Sequence, residues 1–315
     1  MFPSANEICD AHQRIFPYVH KTPVLTSKSI DELAGASLFF KCENMQRGGA
    51  FKARGAFNAS LQLTNEELAK GVATHSSGNH ATALSLAART LGIPAYIVMP
   101  SNSKRIKIVS VEAFGGKITF CEPTLQARES TLEEIVQKTG AVFIPPYDDY
   151  RIIAGQATAA KELIEEIENL NAIIAPVGGG GLLSGTALSV NYFSKGCAAY
   201  AAEPAGADDA WRSLKAGKII PSINPVTISD GLLTSLGTRN FPIIQELVSE
   251  IIRVEESEII SAMRLLWERL KIVVEPSSAT VLAAVLKSKD LFEGKKTGLI
   301  LSGGNVDLSE MKNYF

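Results

Sequence analysis

Two hydrophobic patterns take turns along this chain. Short apolar runs of strand length, such as residues 38–41, alternate with longer stretches in which apolar residues recur every three or four positions. Ile8, Ala11, Ile15 and Phe16 give the first helical face, over residues 7–18, and an extended segment follows at 21–25. A short helix near 30–33, a strand at 37–41 and a small-residue helix opened by Phe51 and Lys52 come next. Thr64 and Glu67 have capping-box spacing and start another helix. From Gly71 the alternation is regular, with strands near 72–74, 95–99, 117–120 and 142–144 and helices up to 91, over 103–114 and over 131–139. A second series runs helix 152–165, strand 172–177, helix 182–193 and strand 199–202, then helices 242–249, 256–270 and 278–287 and a last strand at 297–301. Helices between buried strands imply crossovers, so the sheets are predicted parallel. The expected fold is α/β, two parallel-sheet units with a ligand cleft beyond the carboxyl ends of the strands. Residues 221–239 are rich in turn formers and read as irregular and functional.

Composition narrows the partners. The chain has 315 residues, 46% hydrophobic, enough for a substantial core. A net charge of −2 without a basic run argues against nucleic acid or an anionic membrane. No apolar stretch reaches spanning length and the first residues lack a sorting signal, so a cytoplasmic location is expected. Cys9, Cys42, Cys121 and Cys197 are scattered, as reduced thiols are, with no zinc spacing.

Four segments carry candidate chemistry. Lys52 sits just inside a helix start, where the dipole disfavours its charged form and favours a nucleophilic amine able to form an imine; a solvated surface lysine is the plainer alternative. Gly178, Gly179, Gly180, Gly181 and Leu182 join a buried strand to a helix, and four residues without Cβ let backbone N–H groups close around a phosphate. Glu203 ends the next strand about 20 residues on, where a dinucleotide's ribose-binding acid would sit, so a nicotinamide-dependent oxidoreductase stays open. Ser76, Ser77, Gly78, Asn79 and His80 also join a strand to a helix and could hold a carboxylate, with Asn79 either a ring contact or a cap and His80 either buried or functional. Ser302 ends the last strand with another small hydroxyl group, and Glu275 is a carboxylate at a helix start that could face the cleft. Glu203, Asp208 and Asp209 lie within seven residues, a set that suits either a hard cation or solvated acids at a helix start.

The segments 49–56, 76–80, 176–185 and 302–307 resemble the motif set of the serine/threonine dehydratase and serine racemase family, fold-type II enzymes that use pyridoxal phosphate, over about residues 21–308. The resemblance implies a tryptophan synthase β-like fold, with residues 1–65 plus 150–315 as a large cofactor-binding domain and 66–149 as a small one. It implies that Lys52 joins the cofactor through an imine and then acts as acid and base at the α-carbon. Phe51, Asn79 and Glu275 would meet the ring, Gly178–Gly181 and Leu182 the phosphate, and Ser302 the ring nitrogen. Ser77 matches the second acid/base on the opposite face. Ser76, Ser77, His80, Arg128 and Thr234 would line the substrate pocket. Glu203, the Ala207 carbonyl and Asp209 match a divalent-cation site for Mg2+, Ca2+ or Mn2+. A small amino-acid substrate, a homodimer and room for a nucleotide effector follow from the same likeness. Expected activities are dehydration of L-serine or L-threonine to the oxo acid and ammonia, with serine racemisation. Dehydration of 3-hydroxyaspartate, with Arg128 on its second carboxylate, is the nearest alternative, and a noncatalytic amino-acid sensor is a further one. Gly48, Ala50 and Ala81 depart from the family pattern and bear on substrate preference more than on cofactor.

Overall fold

The computed structural model describes residues 1–315, apart from the side chain of Asn313. Its ten strands are β1 Val24–Leu25, β2 Ser37–Cys42, β3 Val72–His75, β4 Ala95–Pro100, β5 Lys117–Cys121, β6 Val142–Phe143, β7 Ala172–Pro176, β8 Ala198–Pro204, β9 Val248–Val254 and β10 Lys296–Leu301. They form a six-stranded sheet, ordered β1-β2-β10-β7-β8-β9, and a four-stranded sheet, ordered β5-β4-β3-β6. All neighbours are parallel except β1 on β2. The parallel arrangement follows from the crossover helices, and it buries β7 on both faces, which is why Ala172–Pro176 reads as one apolar run.

Each sheet carries core on both faces. Leu38, Phe40, Ile174, Leu299 and the Pro276–Lys287 helix pack one side of the larger sheet, and Ile173, Ala175, Ile300 and the Gly181–Phe193 helix the other. The smaller sheet is thinner: Val72, Ile97 and Met99 face one cluster and Ala73 and Val98 another. Its edge strand β5 is largely exposed.

The strand β9 was not expected from the pattern, and the helix Asp209–Ala216 was anticipated only as a possible helix start at the acidic cluster. The helix placed at 242–249 is Asn240–Leu247 and stops where β9 begins. β9 carries Glu250 and Arg253 on an edge, so its apolar alternation is broken. The long helix expected over 256–270 is α-helical over Glu256–Leu265 and widens to a π turn over Leu266–Leu270. The capping box at Thr64 and Glu67 is present as expected.

The Lys52–Ser60 helix is held from behind by buried charge. Arg54 donates to Glu43 at 2.7 and 2.9 Å and to Glu162 at 2.7 and 2.8 Å, while Lys41 reaches Glu162 at 2.7 Å. All four side chains are buried. Such a group balances two cations against two anions, and its worth lies in fixing position more than in net stability.

Candidate active site

The carboxyl ends of β2, β3, β7 and β10 deliver the four candidate segments to one cavity of about 330 Å3. Phe51, Lys52, Ser76, Ser77, Asn79, His80, Arg128, Gly178, Gly179, Gly180, Gly181, Leu182, Thr234, Glu275 and Ser302 all line it. Segments far apart in sequence therefore share one wall.

Lys52 is the first residue of its helix, and its amine donates to the Pro146 carbonyl at 2.6 Å. Its pKa falls to about 8, because burial disfavours the ammonium while the nearby Glu275 carboxylate pulls the other way. The expectation of a lowered pKa holds, with burial as its main cause in place of the helix dipole.

Each glycine of the 178–181 run has its own reason. A Cβ at Gly178 would lie 2.9 Å from the Leu232 backbone, one at Gly179 2.4 Å from the Tyr147 ring, and one at Gly181 3.1 Å from Tyr147. Gly180 is the helix N-cap in a left-handed conformation, φ +95°. The first turn after it leaves backbone N–H groups without intrahelical acceptors, a cradle suited to a phosphate.

Asn79 does not cap its helix, since Gly78 holds that position. Its amide spans the cleft, donating to Glu275 at 2.9 and 3.1 Å, while Asn305 donates to the Asn79 oxygen at 2.9 Å. Burial, with Asp230 adding to it, pushes the Glu275 carboxyl up to about 7. His80 is buried with Nε2 3.0 Å from the Ile144 carbonyl, and burial followed by the Lys52 charge lowers it to about 3. It is a neutral histidine and not a general acid. The Ser302 hydroxyl is buried and lies 3.1 Å from that of Ser278.

Glu203 cannot serve a ribose. Its buried carboxylate accepts from the N–H groups of Ala210 and Trp211, both at 2.8 Å, and burial pushes it up to about 8. The dinucleotide alternative loses its acid. Asp209, at the start of the same helix, is likewise pushed up by burial to about 6, and its Oδ2 is buried without a hydrogen-bond partner. Ala207 is buried in the turn between them. Asp209 Oδ2 is the carboxylate oxygen left over here, and among the described residues no group of three or more His, Cys, Asp or Glu side chains gathers as a metal site would.

Tyr147 and Lys107 also line the cavity and were not singled out in the sequence. The Pro146-Tyr147-Asp148 stretch carried no motif. Its role emerges from the Asp148 carboxylate, which takes N–H bonds from Thr238 and Arg239 at 3.1 and 2.8 Å and so docks Tyr147 onto the glycine run.

Residues 15–303 match the family model described as pyridoxal-phosphate dependent enzyme. The chain belongs to that family. Pyridoxal phosphate is its cofactor, and Lys52, the glycine cradle and Ser302 offer that group an amine, backbone N–H donors and a hydroxyl in one cavity. A serine racemase of Dictyostelium discoideum is 51% identical over 309 residues, covering 97% of this chain and 95% of that protein. A beta-hydroxyaspartate dehydratase of Paracoccus denitrificans is 49% identical over 309 residues, 98% of each. The solved structure of maize serine racemase superposes with a TM-score of 0.96 at 44% identity, covering 99% of this chain and 97% of that one. The sheet architecture and the family agree on a fold-type II, pyridoxal-phosphate-dependent enzyme.

Proposed function

We propose that this enzyme eliminates water and ammonia from small β-hydroxy amino acids, giving L-serine (L-threonine) ammonia-lyase activity, and interconverts L- and D-serine. The observation that carries this reading is that Lys52, Ser77 and Ser302 line one cavity. Bound pyridoxal phosphate supplies an aldehyde for the substrate amine and a ring that takes up electron density from the α-carbon. Lys52, its pKa near 8, moves the α-proton on one face. Ser77 offers a hydroxyl for the other face. Ser302 is a hydroxyl where a carboxylate would hold the ring nitrogen protonated; without that charge, electron density stays near the α-carbon and a β-hydroxyl leaves readily. The Ser76–Asn79 loop seats the α-carboxylate, with Phe51, Asn79 and Glu275 against the ring and Thr234 beside the substrate. The glycine run and Leu182 take the phosphate.

A second reading has its own support. Among the described residues the Arg128 guanidinium bonds only the Thr124 carbonyl of its own helix, at 3.4 Å, and its charge bears on His75. A cation free in the substrate wall suits the second carboxylate of 3-hydroxyaspartate.

The division into residues 1–65 plus 150–315 and residues 66–149 belongs to this proposal, as do a divalent cation at Glu203, Ala207 and Asp209, a homodimer, a nucleotide effector and a cytoplasmic location. No helix is long and apolar enough to cross a membrane, among the described residues.

The test is a panel of L-serine, D-serine, L-threonine and 3-hydroxyaspartate, scored for oxo acid and for enantiomer. We expect pyruvate and D-serine from L-serine, with Ser77→Ala suppressing D-serine more than pyruvate. Release of oxo acid from 3-hydroxyaspartate alone would move the conclusion to the second reading. No turnover of any of them would favour an amino-acid sensor.

A further inference from the structure

We infer that Lys107 is a positioning residue for the substrate carboxylate, its ammonium held by Asp230 beside the Ser76–Asn79 loop. This rests on the proposed reading of that loop as the carboxylate's seat. Lys107 projects from the Arg105–Ala113 helix, which packs against the smaller sheet's side of the cleft, and pairs with Asp230 in the turn Asp230–Leu232 on the other side. An ordinary surface pair would leave the lysine in water; here its side chain is only 17% exposed. A Cβ placed on Gly78 would lie 3.8 Å from the Lys107 Nζ, so the ammonium stands directly over the loop.

Three adjoining cavities, of about 330, 120 and 30 Å3, meet at this side chain. Among the described residues Lys107 alone lines all three. The other basic groups of the main cavity stand apart from the loop's glycine. Lys52 serves the cofactor, His80 is neutral, and Arg128, on the helix Leu125–Thr139, bears on His75, whereas Lys107 is the cation that a Cβ on Gly78 would meet. That leaves Lys107 to supply positive charge at the loop.

A lysine is a point charge on a flexible four-carbon stem, so a fixed acid is needed to aim it. Asp230 does this from across the cleft. A carboxylate on the loop would share the ammonium with Asp230, so one lysine links the bound substrate to both walls. The effect is electrostatic and acts at short range in a partly desolvated cleft.

The holoenzyme offers a direct test, because ligand binding can be followed through the cofactor's visible absorption. L-serine and L-serinamide differ only in whether the group at the loop carries charge. Lys107→Met is expected to weaken L-serine by about 10-fold, some 1.4 kcal/mol, and to leave L-serinamide nearly unchanged. Lys107→Arg should restore L-serine binding, and Asp230→Asn should weaken L-serine by less than Lys107→Met. The salt dependence of L-serine binding should flatten in Lys107→Met. Equal losses for both ligands, or no loss for L-serine, would overturn the inference. A wild type whose absorption ignores L-serine would overturn the functional reading and this inference with it.

Discussion

Lys52 shows how a single side chain is made ready by its surroundings. Its ordinary pKa of 10.5 drops to about 8 because the cavity wall strips water from the ammonium faster than Glu275 compensates. Below pH 8 the folded protein holds a proton on an amine that burial disfavours, while the unfolded chain carries it without cost. The penalty is therefore fully present below about 8 and fades as pH rises toward 10.5. Replacing the amine in the cofactor-free protein, as in Lys52→Met, should raise unfolding free energy at pH 7 by about 1–2 kcal/mol, the low end for a shift of this size because the cavity is open to water. At pH 10 the gain should largely vanish. Denaturant titrations of both proteins at the two pH values check this, and an equal gain at both would contradict it. Lys52 was legible in the sequence only beside the glycine run and the other strand-end segments, since taken alone a lysine opening a helix reads as a solvated surface residue. Tyr147 and Lys107 were not. A tyrosine in a turn and a lysine on a helix are ordinary until tertiary contact shows what they face.

At the scale of elements, chemistry gathers where strands end and helices begin. The helix Asp209–Ala216 starts under the Glu203 carboxylate, which takes two of its first N–H groups, and Asp209 leaves an oxygen unpartnered. Glu203 is satisfied by those N–H groups, but the unpartnered Asp209 oxygen is costly to bury, and a cation there would offset that cost. Exhaustive chelation should therefore lower the melting temperature by about 2–5 °C, and Asp209→Asn should melt at the same temperature with or without EDTA. A melting curve of the native protein that ignores EDTA would remove the cation from the proposal. The acidic cluster was visible in the sequence and a helix start was one reading of it, but with only two turns over Asp209–Ala216 the helix itself was not delimited. The strand β9 hid for a related reason: it is an edge strand whose exposed Glu250 and Arg253, three residues apart, fall on opposite faces, so neither strand alternation nor helical spacing stood out. The glycine run was read for its N–H groups. The further requirement, that Leu232 and Tyr147 approach so closely that no side chain fits, belongs to contacts between elements that no local pattern encodes.

For the molecule as a whole, the two sheets differ in how much holds them. The larger one has an extensive core on each face and is braced by the buried Lys41, Glu43, Arg54 and Glu162 group, whereas the smaller one ends in the exposed edge β5. Near the cavity the two sides meet through polar contacts: Asn79 to Glu275, Lys107 to Asp230, Lys104 to Glu310 at 2.6 Å, and Asp148 to Thr238. The two ion pairs among them are partly exposed and contribute little each, about 0–1 kcal/mol, so besides the apolar contact of Ala53, Ala56 and Phe57 with Ala83, Leu86 and Ala87, whatever bridges the cleft adds to the smaller unit's hold. A cofactor bound by Lys52 and the glycine run on one side and facing Asn79 on the other would be such a bridge. Its removal should raise amide hydrogen exchange across residues 95–121 while leaving β7 and β10 protected, because local opening follows local contact. Exchange measured by mass spectrometry on the loaded and the cofactor-stripped protein decides the point. A uniform increase over both sheets would mean that the molecule opens as one cooperative body, with the cofactor stabilising all of it at once.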